Sequence, residues 1–270
     1  MTATREPARP SGRWMLAHAR AMRTDPLSFL TATAAELGDV VEFPIPGRPV
    51  FFVDDPDAVQ RVLRDNHRGY GKRTIQYDSL ALVTGQGLLT ADHDPWRTNR
   101  KVQQPAFHHS SLEPLAGTVV RAADRLLARW DRAPDGSVVD VDGAMMRTAL
   151  EVVGEALFSV DLAGSAAALV EAVLEALGQV VARAQNPLAL PLDVPTPGNR
   201  RMRRAMATLD AAVEDIVARR RSGAGPGDDL LGLLLASGLT DAQVRDEVVT
   251  TVVAGHETVA SALTWAWDLL

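Results

Sequence analysis

Val252-Val253-Ala254-Gly255-His256-Glu257-Thr258-Val259-Ala260 is the stretch on which the interpretation of this chain turns. It lies in a valine-rich run, with Val244, Val248 and Val252 at one-turn intervals, yet carries a glycine, an acid and a hydroxyl that burial ordinarily excludes. Upstream, Thr240 and Gln243 have the spacing of a capping box, which predicts one helix from about Asp241 onward. Extended to Leu270, that helix would be about 45 Å long at 1.5 Å per residue. Ser261 to Leu270 is mostly apolar and holds no Gly, Asn or Pro to close it, so Leu270 reads as a truncation point.

Glycine in a helix interior costs roughly 1 kcal/mol relative to alanine, so Gly255 needs a reason. Two are open: Ala254 and Gly255 could form a shallow groove in which a flat ligand approaches the backbone, or small residues there could let two helices cross closely. Thr258 follows Ala254 by four residues, so its hydroxyl can bond that carbonyl, loosen the helix and admit water, with Glu257 beside it to relay protons. The plainer alternative is a back-bonded threonine and a solvated glutamate. His256 and Glu257 also begin like a zinc-hydrolase motif, but the position four after His256 is Ala260, which leaves one imidazole where two are needed. No metal ligand is assigned within the chain.

A second constellation runs Gly87-Leu88-Leu89-Thr90-Ala91-Asp92-His93-Asp94-Pro95-Trp96-Arg97-Thr98-Asn99-Arg100-Lys101. On a helix, Trp96 and Arg100 place an indole N–H and a guanidinium fork on one face, a pair suited to a carboxylate or phosphate. The alternative is a surface helix with Trp96 packed on the core and Arg97, Arg100 and Lys101 solvated.

Outside these two runs the pattern is mainly helical. Helices are predicted at Pro26 to Leu37, Asp57 to Arg64, Pro95 to about Gln103, through Leu115 to Trp130, through Met145 to Ala156, and at Ala166 to Ala182 and Arg200 to Arg221. Val40 to Phe43 and Val50 to Val53 predict a small β-hairpin joined through Pro44, Pro46 and Gly47. Gly69 to Gly87 reads as a loop with one helical turn around Ser79 to Val83, and four prolines break the chain between Asn186 and Pro197. Residues 1–24 read as a polar N-terminal segment ahead of one domain at 25–270.

A hydrophobic content of 46% in 270 residues is ample for a core. The absence of cysteine excludes disulfides, cysteine-based zinc sites and a cysteine nucleophile within these residues. A net charge of −6 argues against nucleic acid as a main partner, although Arg200, Arg201, Arg203, Arg204 and Arg219 to Arg221 form local basic clusters. No signal peptide and no stretch long enough to span a membrane is evident, so a cytoplasmic location is expected.

Taken together, Gly87 to Phe107, with Trp96, Arg100, Pro105, Ala106 and Phe107, resembles the C-helix region of the cytochrome P-450 monooxygenases, and Ala254 to Thr258 resembles their oxygen-binding I-helix motif. Order and separation agree, and the resemblance covers nearly the whole chain from about Asp25. It implies a soluble, bacterial-type haem enzyme that activates dioxygen and inserts one oxygen atom into an apolar substrate. Trp96 and Arg100 would bind a haem propionate. Ala254 and Gly255 would form the groove facing the haem, and Thr258 with Glu257 would organise the waters that deliver protons to bound dioxygen.

The same resemblance implies haem b, electrons from NAD(P)H through a ferredoxin or flavodoxin with its reductase or a fused reductase, and no membrane anchor. The segments 69–87 and 186–197 match regions that cap the substrate pocket in this family. Leu188, Leu190, Leu192 and Val194 suggest a fatty acid or terpenoid-like substrate. The family's E-x-x-R pair and cysteine ligand would lie beyond Leu270, so the expectation is a P-450 fold without its C-terminal part, unable to fold fully or hydroxylate alone. The alternative is a non-catalytic helical interaction module.

Overall fold

Strands Val40–Phe43 (β1) and Val50–Val53 (β2) pair antiparallel with Val41 opposite Phe52, at the bounds that β-branched and aromatic residues predict. The computed structural model describes residues 6–45, 49–162, 166–184, 186, 189–223 and 227–270. Pro46, Gly47 and Leu188 fall outside them. Two units are distinguished, Met1–Gly71 and Lys72–Leu270.

In the first unit, the segment expected to be merely polar contains a helix, Gly12–Thr24 (α1), capped by Ser11, whose hydroxyl accepts from the Trp14 amide at 3.2 Å. Its charged residues mask the periodicity, and the signal is the apolar set Trp14, Met15 and Ala21, which packs on Phe29, Val41 and Phe43. Helix Pro26–Leu37 (α2) has the predicted bounds. Ala8 adds a parallel bridge to β1, accepting from the Glu42 amide at 2.8 Å. Helix Pro56–Gln60 (α3) starts at an Asp55 cap and passes into a π turn at Arg61–Asp65, where a continuous α-helix is predicted.

The second unit is helical: Ile75–Thr84 (α4), His93–Gln103 (α5), His109–Leu112 (α6), Leu115–Trp130 (α7), Val141–Phe158 (α8), Ala166–Ala184 (α9), Pro197–Ser222 (α10), Leu230–Ala236 (α11) and Asp241–Leu269 (α12). The expected 69–87 loop is a correction: α4 fills over half of it, because Thr74 caps the Tyr77 amide and Ser79 and Val83 turn inward. Glycines at its ends had hidden this helix. α12 packs along α8, α10 along α9, and α4 against both α9 and α12. Leu150, Phe158, Met202, Leu230, Leu231, Val244 and Val248 are fully buried in the shared core, each contributing about 1.5–3 kcal/mol on burial.

The predicted start of α12 holds in detail. Thr240 and Gln243 form the reciprocal cap, with the Gln243 amide donating to Thr240 Oγ1 at 3.3 Å and the Thr240 amide to Gln243 Oε1 at 2.9 Å. The proline-broken stretch before α10 is gathered by Asn199, whose amide donates to the carbonyls of Pro191 and Val194, each at 2.8 Å. Leu190 and Val194 there are exposed, whereas Leu192 packs on the core.

Candidate functional site

α12 is buried on one side only through its motif. Val252, Val253, His256 and Ala260 face inward, whereas Ala254 and Thr258, one turn apart, are exposed on the other side. The Thr258 hydroxyl donates to the Ala254 carbonyl at 2.8 Å, the back-bond that the i, i+4 spacing predicts. Glu257 is half-buried beside it.

Gly255 has a packing reason for being glycine. A Cβ added there would stand 2.9 Å from Val153 Cγ2 on α8, so its missing side chain serves a helix crossing. That is the second of the two explanations the sequence left open. The exposed face beside it is formed by Ala254 and Thr258, with the Gly255 backbone half-accessible. His256 lies about 200° around the helix from Ala254. It is fully buried, its Nδ1 is 2.9 Å from the Val252 carbonyl oxygen, and its Nε2 has no hydrogen-bond partner among the described residues.

On α5 the two predicted donors are present together on the accessible side. Trp96 is 37% exposed, Arg100 is exposed, and among the described residues no hydrogen bond or ion pair claims either side chain. Arg97, by contrast, is tied to Asp94 at 2.8 Å. The buried residues of the same helix are Asn99 and Gln103, two polar side chains that the sequence reading did not single out.

Lys72 is a further residue that the motif search missed. Its ammonium lies 5.9 Å from the Trp96 ring centre and donates to the Leu88 and Leu89 carbonyls at 3.2 and 2.9 Å. Burial depresses its pKa, with the Asp92 charge opposing. The Asp92 carboxyl is in turn held low, first by the Lys72 backbone amide at 2.7 Å. A cation at the indole face is a long-range contact, and nothing in local spacing marks it.

α5 and α12 are joined by hydrogen bonds two turns beyond Trp96. Glu247 Oε2 accepts from Gln103 Nε2 at 2.6 Å and from the Leu88 amide at 2.9 Å. Asp246 accepts from the Gln86 amide at 2.8 Å, and Asn99 donates to the Gln86 carbonyl at 3.1 Å. The loop 85–91 is thus clamped between the two helices. One sequence signal existed: Glu247 follows Val244 by three residues and falls inside the buried valine stripe.

Chemically, α5 offers two unclaimed donors for an anionic group, and α12 offers a small-residue face carrying one hydroxyl with an acid beside it. Comparison with known proteins gives the frame for both. The family model for cytochrome P450 matches residues 7–270. The chain is 33% identical to the cyclooctatin synthase of Streptomyces melanosporofaciens over 97% of its own length and 58% of the relative's. It is 32% identical to the pentalenene oxygenase of Streptomyces avermitilis over 95% and 57%. It is 28% identical to the Arabidopsis thaliana protein LUTEIN DEFICIENT 5, chloroplastic, over 81% and 40%. The chain therefore spans little more than half the length of the curated relatives it matches.

Proposed function

The chain belongs to the cytochrome P450 family, and on that premise we propose that the whole protein is a haem-dependent monooxygenase acting on an apolar, terpenoid-like molecule. The observation that carries this is the exposed Ala254–Thr258 face, with its back-bonded hydroxyl, on a helix whose Val252, Val253, His256 and Ala260 are buried. The terpene-oxygenase relatives favour a terpenoid over a fatty acid.

The residues present suit haem b. Trp96 and Arg100, both without a competing partner, would hold a propionate through an indole N–H and a guanidinium fork. Lys72 sits close enough to Trp96 to add positive charge there. Ala254, with the Gly255 backbone, would lie along the macrocycle. When bound, the haem supplies dioxygen activation and oxygen transfer.

Thr258 donates its proton to the Ala254 carbonyl, which leaves the hydroxyl's lone pairs free to accept from water. Glu257, half-buried one residue away, would hold an exchangeable proton near that water. Electrons would come from NAD(P)H through a ferredoxin or flavodoxin and its reductase, or through a fused reductase. No helix among the described residues is long and apolar enough to cross a membrane, and we place the protein in the cytoplasm.

The test is spectroscopic. The full-length protein, loaded with haem and reduced under carbon monoxide, should give a thiolate-type Soret band, whereas these 270 residues, which contain no cysteine, should not. Absence of the band from the full-length protein would overturn the assignment. Within it, Thr258→Ala should retain haem but divert reducing equivalents to peroxide or water, and Arg100→Ala should retain haem poorly.

A further inference from the structure

Glu247 is 1% exposed, and among the described residues it accepts from two donors, the Leu88 amide and Gln103 Nε2, both directed at Oε2. Among the described residues Oε1 has no hydrogen-bond partner, nor does the hydroxyl of Thr250 one turn along the same helix. Both groups face the same short stretch of loop: Leu88 bonds Glu247, and a Cβ on Gly87 would collide with Thr250 Oγ1. An acid is an expensive way to fill a buried valine stripe unless its two bonds do something that packing cannot. Here they connect three elements. Leu88 stands four residues before the Asp92 cap of α5, and Gln103 is the last residue of α5.

We propose that Glu247 is the positioning residue for the Trp96–Arg100 pair, fixing α5 at both ends to α12 and so setting the direction in which those two donors point. This rests on the haem-propionate role given above to Trp96 and Arg100. One oxygen receives both bonds, so the loop before α5 and the final turn of α5 cannot move independently of α12 or of each other. Burial raises the carboxyl's pKa, against the two hydrogen bonds that lower it, and the adjacent Asp246 charge adds to the rise. Both donors go to a single oxygen, and the side-chain amide of glutamine offers one such oxygen, so Glu247→Gln should preserve the tie and Glu247→Ala should not.

The experiment uses the haem-loaded full-length protein and two readouts: the rate of haem transfer to a scavenger protein, and hydrogen exchange at the Leu88 amide. Glu247→Ala removes both bonds and should transfer haem at least about tenfold faster, the scale that even one buried hydrogen bond sets, and expose the Leu88 amide to exchange. Glu247→Gln should stay near wild type in both. Gln103→Met, which removes one donor at similar volume, serves if Glu247→Ala does not fold, and it too should speed haem transfer. Wild-type haem transfer from Glu247→Ala or Gln103→Met, or a Gln variant no better than Ala, would overturn the proposal. Trp96→Phe and Arg100→Ala provide the separate control. If those two also release haem at the wild-type rate, the propionate role itself is wrong, and the positioning role falls with it even where Leu88 exchange still responds to Glu247.

Discussion

Gly255 and Val153 meet where α12 crosses α8, and a methyl group on the glycine would stand 2.9 Å from Val153 Cγ2. At that distance either the buried Val153 side chain or one of the two helices must shift. Gly255→Ala should therefore cost about 1–3 kcal/mol, the range for overpacking a core. Removing the facing branch should restore much of that loss, so Gly255→Ala with Val153→Ala should unfold at a higher denaturant concentration than Gly255→Ala alone. Strict additivity of the two changes in urea titrations would contradict the contact.

Gly87 is placed under a harder constraint. Its added Cβ would overlap Thr250 Oγ1 and stand 2.6 Å from the Asp246 carbonyl oxygen, which belongs to the α12 backbone. A side chain can turn away, but a helix carbonyl cannot. Gly87→Ala should lower stability by about 1–3 kcal/mol, and adding Thr250→Ala should recover only part of it. Full recovery in thermal unfolding would show that the backbone clash is not limiting.

Asp229 receives two bonds from Arg220, at 2.8 and 2.5 Å, one from Ser159 at 2.5 Å and one from the Gly232 amide at 2.9 Å. Burial alone would raise its pKa, but these hydrogen bonds, led by Arg220, outweigh that and hold the carboxyl below its ordinary value. A depressed folded-state pKa stabilises the protein above the unfolded value of about 3.9 and loses that contribution as pH falls through the folded value. Asp229→Asn should cost about 3 kcal/mol at pH 7, since it takes the carboxylate charge away from the Arg220 guanidinium and weakens the cap of α11. The gap between variant and wild type should narrow in urea titrations repeated below about pH 4. An unchanged gap would mean that the carboxyl's charge contributes nothing.

His93 opens α5 with φ of 46°, in the left-handed region that a non-glycine residue occupies at a cost. Its exposed ring makes no buried contact to offset this. His93→Gly should raise stability by about 1 kcal/mol, the local strain slightly exceeding the added entropy of an unfolded glycine. A lower melting temperature would show that the imidazole, 3.6 Å from Asp92, contributes more than the strain it carries.

Local chemistry made much of this legible. The bounds of α2, β1 and β2 follow from a helix-starting proline, a glycine stop and runs of Val and Phe. The capping box of α12 and the Thr258 back-bond depend on residues three and four apart, separations that the α-helix fixes by itself. α1 and most of α4 were hidden because charge in one case and flanking glycine in the other masked weak periodicity.

What the sequence determined alone was therefore whatever one helix or one hairpin decides: the four-residue spacing of Trp96 and Arg100, the motif from Ala254 to Thr258, and the family to which both belong. Tertiary structure decided what those residues face. Gly255 is glycine because of Val153, Lys72 reaches the Trp96 ring, and Glu247 joins Leu88 to Gln103 across more than 140 residues of sequence. Contacts of that separation depend on how helices cross, and helix crossings are set by the fit of whole packed faces, which no local period encodes.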